Sequence, residues 1–401
     1  MSGQLCSQAS DALTTFTLAE VLVFGPLGNT STSTLVGTMC SAALPLLLAG
    51  PLAGRIADRA RRADILIRGH FMRALLTLVA AASVLEGGRV VGFVSLALLI
   101  GLTRVLYTAR ATSIPQLVRR HELVGADSAS LVLSVIAGAL GAGLGSILAS
   151  TAPLAAFAIA ACGQVVAAMR YRSISTPLGG GRSGKDCGPK LLLAQLLLPR
   201  TKFAVLATTS HRLLLGLSLA SVAMMIDARV QLTTGGSVVV LGSGAAGSFI
   251  GSLSAEWASE TFPRRAIALL SFGLTALSMA FAALVVHPIV GLASLFIGAL
   301  LFQILRVRSD ASIQANVEPS ALGQVFATYD IVYNLAFITG GIAGVSLAPV
   351  TPYSVVIGTI VVTYVTLAVI FAIVIKDGKE SALDQASAND VPRAAPLSAK
   401  N

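Results

Sequence analysis

Long apolar segments follow one another along most of the chain and are separated by short polar segments. The hydrocarbon core of a bilayer is about 30 Å thick and is crossed by roughly 20 helical residues. A window of that length predicts six spans in the first part of the chain, at about 6–26, 33–53, 65–85, 90–109, 128–149 and 152–169. It predicts six more at about 206–227, 234–254, 266–286, 288–305, 324–347 and 353–375. The pattern therefore predicts an all-α membrane protein with twelve transmembrane helices.

Lysine and arginine are distributed unevenly between the loops of this topology. If the N-terminus lies inside, the cytoplasmic loops hold nearly all of them, including the turns after the fourth and tenth spans with Arg110, Arg306 and Arg308. The loops on the other side hold only Arg89 and Arg229. Because basic residues keep loops on the cytoplasmic side, we expect a multi-pass protein of the cell membrane with both termini in the cytoplasm.

The chain divides into two six-helix halves. A Gly-rich, basic segment at 170–203 reads as a cytoplasmic linker between an N-terminal half at 1–169 and a C-terminal half at 204–375. A polar tail at 376–401 is expected to be disordered, because it has too little apolar surface to bury.

The two halves also resemble each other in sequence. One constant offset aligns Leu106 with Leu305 and Val118 with Val317, at the fourth helix of each half and the loop after it. Two six-helix repeats related by an axis along the membrane normal are a known transporter architecture.

The composition agrees with a membrane protein and excludes several other classes. Hydrophobic residues make up 55% of the chain and charged residues 11%, whereas soluble domains carry about 25% charged residues. The net charge of +10 is explained by the cytoplasmic loops, so we expect no nucleic-acid partner. The four cysteines and four histidines are too scattered for a metal site, and we expect no cofactor and no enzymatic activity.

The most specific string follows the second span, from Gly54 to Arg62. A glycine there lets two helices approach closely, and the carboxylate of Asp58 can meet the positive N-terminus of another helix. The string resembles GxxxDRxGRR, the loop 2–3 signature of the major facilitator superfamily. That resemblance implies a cytoplasmic latch, which we define as Gly54, Asp58, Arg59 and Arg62, that opens and closes during transport.

Other segments resemble one branch of that superfamily, the macrolide-efflux-like drug exporters. They include Gly3-Gln4-Leu5, Arg73-Ala-Leu-Leu, Ala109-Arg110-Ala111 and Gly323-Gln-Val-Phe-Ala327. Exporters of the superfamily usually carry a GPxxGG-like string in the fifth helix, where this chain keeps Gly141 and Gly145, with Gly138 about one turn earlier. We expect these three glycines to allow close helix packing.

Charged residues inside the predicted spans are functional candidates, because charge is expensive in a bilayer. Asp11 and Glu20 lie about 180° apart around the first helix, so they cannot face one cavity. Glu20 is the candidate for carrying a proton, and Asp11 is expected to pair with a neighbouring helix, for which Arg73 is available. Arg104 is a candidate for binding an anionic substrate group or for pairing with Glu20, and Asp330 is a further candidate in the eleventh helix.

Together these features predict a secondary transporter with the major facilitator fold. The expected function is proton-coupled export of a small amphipathic drug or metabolite by alternating access, with the lipid bilayer, protons and a small-molecule substrate as partners. No ATP-binding domain is visible in the sequence, so an ion or solute gradient would drive it. Uptake of an organic anion or nutrient by the same fold is one alternative, and a transport-inactive scaffold or sensor is another.

Overall fold

The computed structural model describes residues 2–19, 32–85, 89–174, 178, 188–230 and 234–374. Within these ranges the chain forms thirteen α-helices and a short 3-10 helix at Arg120–Glu122. The first six are α1 (Ser2–Ala19), α2 (Thr32–Arg59), α3 (Arg62–Leu85), α4 (Arg89–Leu117), α5 (Leu123–Thr151) and α6 (Pro153–Arg172). The others are α7 (Pro189–Leu197), α8 (Pro199–Val230), α9 (Thr234–Thr261), α10 (Arg264–Val285), α11 (Pro288–Asn316), α12 (Leu322–Leu347) and α13 (Tyr353–Val374).

Nine of the helices in the described ranges are long and apolar enough to cross a membrane: α3 to α6, α8 and α10 to α13. The three other long helices, α1, α2 and α9, pack inside the same bundle, against α5, α4 and α11 respectively. The protein is therefore an all-helical membrane protein, and the count of twelve transmembrane helices stays a prediction.

The helices form two groups that meet along a polar seam. In the first group α1 packs on α5 and α6, and α3 packs on α4 and α6. In the second group α8 packs on α12 and α11, and α10 packs on α13 and α11. The groups touch through α2 with α12, α5 with α9 and α11, and α4 with α12. The largest apolar core lies in the second group and includes Phe203, Phe272 and Tyr364.

Several helices run further than the predicted spans. The positions of Arg110, Arg306 and Arg308 were predicted to lie in turns, and this was wrong, because α4 continues to Leu117 and α11 to Asn316. The 20-residue window measures the bilayer crossing, whereas helical hydrogen bonds continue beyond the apolar core. The predicted linker also contains a helix, α7, which begins at Pro189 and which the sequence interpretation missed.

One end of the bundle carries the arginines of several loops and helix starts. We call it the basic end and define it by Arg61, Arg119, Arg120, Arg200 and Arg265. The chain passes through this end between α2 and α3, between α4 and α5, between α9 and α10 and between α11 and α12. The contacts of Asp58 with α12 and of Glu256 with α5, described below, lie at this end.

Two of the three predicted packing glycines lie at the contact between α5 and α1. A Cβ on Gly141 would collide with the carbonyl of Ala9, and a Cβ on Gly145 would lie 3.0 Å from the Cβ of Phe16. The packing role predicted for Gly138 was wrong, since a Cβ there would meet no atom of the described residues within 4 Å.

We expect the substitution Gly141→Ala to destabilise the protein by about 1–3 kcal/mol, because the new methyl group forces the backbones of α1 and α5 apart. The matched substitution Gly138→Ala should be neutral, or stabilising by up to about 1 kcal/mol, because it only improves helix propensity. Thermal unfolding of the purified variants in detergent measures both. Equal losses for the two variants would contradict the packing described here.

Candidate functional site

The carboxylate of Asp58, near the end of α2, lies at the N-terminus of α12. Its Oδ1 accepts a hydrogen bond from the backbone N–H of Gly323 at 2.7 Å, and its Oδ2 accepts one from Gln324 at 3.0 Å. The first N–H groups of a helix have no partner within the helix, and the helix dipole favours an anion there. Asp58 is 8% exposed, so its carboxylate is hydrogen-bonded to the N-terminus of α12 in place of water.

The contact depends on two glycines that bring the backbones of α2 and α12 together. A Cβ on Gly54 would lie 2.7 Å from the Cα of Gln324. A Cβ on Gly323 would overlap the Asp58 carboxylate and lie 2.8 Å from the carbonyl oxygen of Gly54. Any side chain at either glycine would therefore push the carboxylate away from the N–H groups that it binds.

Three arginines lie where α2 ends and α3 begins, and of these Arg62 is the buried one. It is 2% exposed, and its Nη1 donates a hydrogen bond to the carbonyl oxygen of Thr112 at 2.8 Å. Its backbone N–H donates to the carbonyl oxygen of Leu178 at 3.2 Å. The side chains of Arg59 and Arg61 are exposed at the basic end. Arg62 thus ties the start of α3 to α4, next to the Asp58 contact.

A related arrangement occurs where α9 meets α5, and the sequence interpretation missed it. The carboxylate of Glu256 lies so close to Gly125, in the first turn of α5, that a Cβ there would collide with it. Beside it, the hydroxyl of Ser128 donates to the carbonyl oxygen of Ser252. The same number of residues separates Asp58 from Glu256 and Gly125 from Gly323, one fewer than separates the aligned Leu106 and Leu305, so the two junctions lie at closely corresponding positions in the two halves.

Further from the basic end, an ion pair joins α4 to α12. Arg104 Nη1 lies 3.1 Å from Asp330 Oδ2. Asp330 also accepts hydrogen bonds from the hydroxyl of Tyr333 at 2.8 Å and from Asn334 Nδ2 at 3.0 Å. Arg104 and Asp330, both predicted site residues, are thus partners of each other. The sequence interpretation had offered Glu20 or a substrate anion as the partner of Arg104.

A second polar contact joins α4 to α11. The guanidinium of Arg306 donates a hydrogen bond through Nη2 to the hydroxyl of Tyr107 at 2.9 Å. It also lies over the ring of Tyr333, 5.2 Å from the ring centroid, and its Nε is 3.7 Å from Asp310 Oδ2. Tyr107 and Arg306 are equivalent positions in the two halves, one residue beyond the aligned Leu106 and Leu305. This equivalence is the one feature of the sequence from which their contact could have been predicted.

A cavity of about 190 Å³ opens among α1, α3, α4, α5 and α6. Asp11 in its wall forms an ion pair with Arg73. The amide of Gln164 donates to Asp11 through Nε2, and its Oε1 lies 2.9 Å from His70 Nδ1. The ring of His70 stacks on Tyr171 with 5.1 Å between centroids. These groups form one connected polar network at the cavity wall.

The cavity is rich in positive charge. Its charged lining consists of Asp11, Arg73, Arg104 and Arg110. Arg73 and Arg104 have carboxylate partners, in Asp11 and Asp330. Arg110 has only the ring of Tyr107 beneath it, 5.7 Å from the centroid, and within the described part of the chain it makes no hydrogen bond or ion pair. It is therefore the cation that remains available to a ligand. Glu20, the predicted proton carrier, lies outside the described residues.

No protein-family model matches the chain. Among curated proteins it is 22% identical over 369 residues to uncharacterised MFS-type transporters of Mycobacterium tuberculosis and Mycobacterium bovis, covering 86% of this chain and 83% of each relative. These relatives support an MFS-type transporter without specifying a substrate.

Solved structures share the whole fold. FucP, a major facilitator superfamily transporter in the outward conformation, matches with a TM-score of 0.69 at 14% identity, over 94% of this chain and 98% of that one. A bacterial homologue of the iron transporter ferroportin in its outward-facing state has a TM-score of 0.65 at 13% identity, over 93% and 96%. The human organic anion transporter MFSD10 has 0.67 at 14%, over 92% and 97%. The chain therefore has the major facilitator fold.

We expect the two partners of the Arg104–Asp330 pair to differ in their effect on stability. Asp330 is 4% exposed and Arg104 28%, so Arg104→Gln strands a buried carboxylate, a loss of about 3 kcal/mol. Asp330→Asn should cost less, because Arg104 can reach the cavity and asparagine keeps an acceptor for Tyr333. The double variant should recover part of the loss. Thermal unfolding of the three variants tests this order, and a larger loss for Asp330→Asn would contradict it.

Proposed function

We propose that this protein is a secondary active transporter that moves a small solute by alternating access, with its two halves rocking about a central cavity. The observation that carries this proposal is the Asp58 contact with Gly323 and Gln324 at the start of α12. In this proposal the contact closes the basic end by hydrogen bonds that water can replace when the halves separate. The close approach of α2 and α12 that it requires is possible because Gly54 and Gly323 carry no side chain.

In this proposal the basic end is the cytoplasmic end, because basic residues keep loops on that side. The latch residues Gly54, Asp58, Arg59 and Arg62 would then hold the cytoplasmic side shut while the opposite side admits or releases solute. A protein closed at this end corresponds to an outward-facing state. Both termini would be cytoplasmic, and the segments 1–169 and 204–375 would be the two moving halves.

We further propose that the transported solute is a small amphipathic drug or metabolite and that it is exported. The support is the resemblance of segments such as Ala109-Arg110-Ala111 and Gly323–Ala327 to the macrolide-efflux-like exporters. A proton gradient would drive export, with Glu20 as the proton carrier. Asp11 would act as a structural anion, because Arg73 and Gln164 already bind it.

A second candidate function is the transport of an organic anion. The observation that favours it is Arg110, whose guanidinium lines the 190 Å³ cavity without a carboxylate partner among the described residues. A carboxylate, sulfate or phosphate group on a substrate would satisfy Arg110 by paired hydrogen bonds.

A transport-inactive scaffold would have no evident use for the Asp58 contact.

Drug susceptibility of an efflux-deficient bacterial host tests export. We expect wild type to protect against some compounds in a panel of lipophilic antibiotics and Asp58→Asn to lose most of that protection at matched membrane expression. Removing a charge worth about 1 kcal/mol at a helix N-terminus shifts the open–closed equilibrium about fivefold. Asp64→Asn is the matched control, since Asp64 lies in the first turn of α3 and makes none of the contacts of Asp58. Absence of protection by wild type would reject drug export for that panel. If Asp58→Asn changed no phenotype at all, the scaffold would be favoured.

Flux of a fluorescent organic anion into or out of proteoliposomes tests the second candidate. We expect Arg110→Gln to lower the flux of the anion at least tenfold, the effect of losing about 1.4 kcal/mol of binding, and to leave the flux of a neutral analogue unchanged. Arg172→Gln is the control, because Arg172 is exposed at the end of α6 and does not line the cavity. Equal flux of the anion in wild type and Arg110→Gln would remove this candidate.

A further inference from the structure

A small cavity of about 20 Å³ lies between the two helix groups. Asp127 of α5 enters it from one group, and Asp310 and Gln314 of α11 enter it from the other. All three side chains are deeply buried, at 5%, 4% and 5% exposure. The sequence interpretation placed both aspartates beyond the ends of apolar spans and therefore did not consider them.

These side chains present more hydrogen-bond acceptors than donors. Gln314 Nε2 donates to Asp127 Oδ1 at 3.0 Å and to the carbonyl oxygen of Ala111 at 3.3 Å. That uses the only donor group of the three. Asp127 Oδ2, Asp310 Oδ1 and Gln314 Oε1 are buried and accept no hydrogen bond within the described part of the chain. Buried acceptors without donors are strongly disfavoured, and two buried carboxylates cannot both stay charged at low cost.

The charged and titratable neighbours do not donate to these three oxygens in the described part of the chain, although the hydroxyl of Tyr329 lies close to Asp310 and Arg110 lines the same cavity. They are Tyr107 and Arg110 on α4, Arg306 on α11, Tyr329, Asp330 and Tyr333 on α12, and Arg212 on α8. Arg306 donates to Tyr107 and faces the other oxygen of Asp310. Asp330 is neutralised by Arg104, and Arg212 lies between the rings of Phe302 and Phe337. Toward α1 and α9, Asp11 and Glu256 have the contacts with Arg73 and Gly125 given above.

We propose that Asp127, Asp310 and Gln314 form a binding site for an exchangeable proton, bridged by one water molecule. A proton on one carboxylate turns an acceptor into an O–H donor and leaves the pair with a single negative charge. The volume suits one water molecule. Calcium or magnesium fits poorly, because each requires about six or more oxygen ligands and the arginines nearby repel a cation.

The site is built from both halves and therefore exists only when the basic end is closed. Separation of α5 from α11 exposes both aspartates to water, and the proton passes to a water molecule as hydronium. Proton binding then stabilises the closed state, and by linkage acid favours closure whereas base favours opening. This inference rests on the proposed function in one respect, since it assumes that the halves separate. It assigns a coupling or gating proton to residues other than Glu20.

Electron-spin distance measurements on the full chain test the site directly. The native cysteines are replaced by serine, and labels are attached at His121→Cys and Pro319→Cys, two exposed positions at the basic end on opposite halves. We expect the separated population to grow as the pH rises in otherwise wild-type protein. Asp127→Asn and Asp310→Asn should each reduce this pH dependence severalfold, and Glu260→Gln, at an exposed acid near the same end, should leave it intact.

Infrared difference spectra upon a pH step provide a second readout in the absence of any substrate. A protonated carboxyl band should appear in wild type and be lost in Asp127→Asn or in Asp310→Asn, with thermal unfolding confirming that both variants are folded.

The site is rejected if the pH dependence or the band is absent from wild type, or if both persist in the two asparagine variants. It is also rejected if opening follows sodium concentration and not pH. If solute flux is measured but opening does not depend on pH, the site is rejected and the transporter function stands. If opening depends on pH and Asp127→Asn abolishes that dependence, but no solute flux is measured, the site stands and the transporter function is rejected.

Discussion

The contact between the Asp58 carboxylate and the first turn of α12 is the interaction on which the proposed closure of the basic end depends. It satisfies two backbone N–H groups that the helix itself leaves without partners, and it places a negative charge at the positive end of the helix dipole. Gly54 and Gly323 make it possible, because a Cβ on either would overlap the facing helix or the Asp58 carboxylate. Because water offers the same hydrogen bonds to both partners, the contact can be exchanged for water.

The rest of the seam follows the same physical logic. Each half carries charges and hydroxyls that the other half satisfies, as Arg104 does for Asp330 and Arg306 for Tyr107. In an environment of low dielectric constant, a polar group that loses its partner without gaining water is costly. Under the proposed alternating access, the two halves can therefore separate only if water enters between them. The cluster of Asp127, Asp310 and Gln314 differs because its acceptors are left without protein donors.

Sequence reasoning reached the fold because the signals it used are local. Twenty apolar residues, arginines at alternate loops and a glycine beside an aspartate are properties of short segments, and the comparisons support a major facilitator fold. It placed Arg110 and Arg306 wrongly, because the apolar window ends before the helices do. It overestimated Gly138, since the packing of α5 against its neighbours, and not the spacing of the glycines, decides which of them has another helix within contact distance.

The sequence by itself determined where most helices lie, the chemical character of their loops and the presence of an acidic residue near the end of α2. These depend on transfer of short segments from water to an apolar phase, which each segment undergoes almost independently. Only the tertiary structure decided that Asp58 meets Gly323, that Arg104 meets Asp330 and that Asp127 meets Gln314. Such partners lie far apart in sequence, more than 180 residues in the last pair, and their distance is set by the packing of whole helices against one another, which no short segment contains.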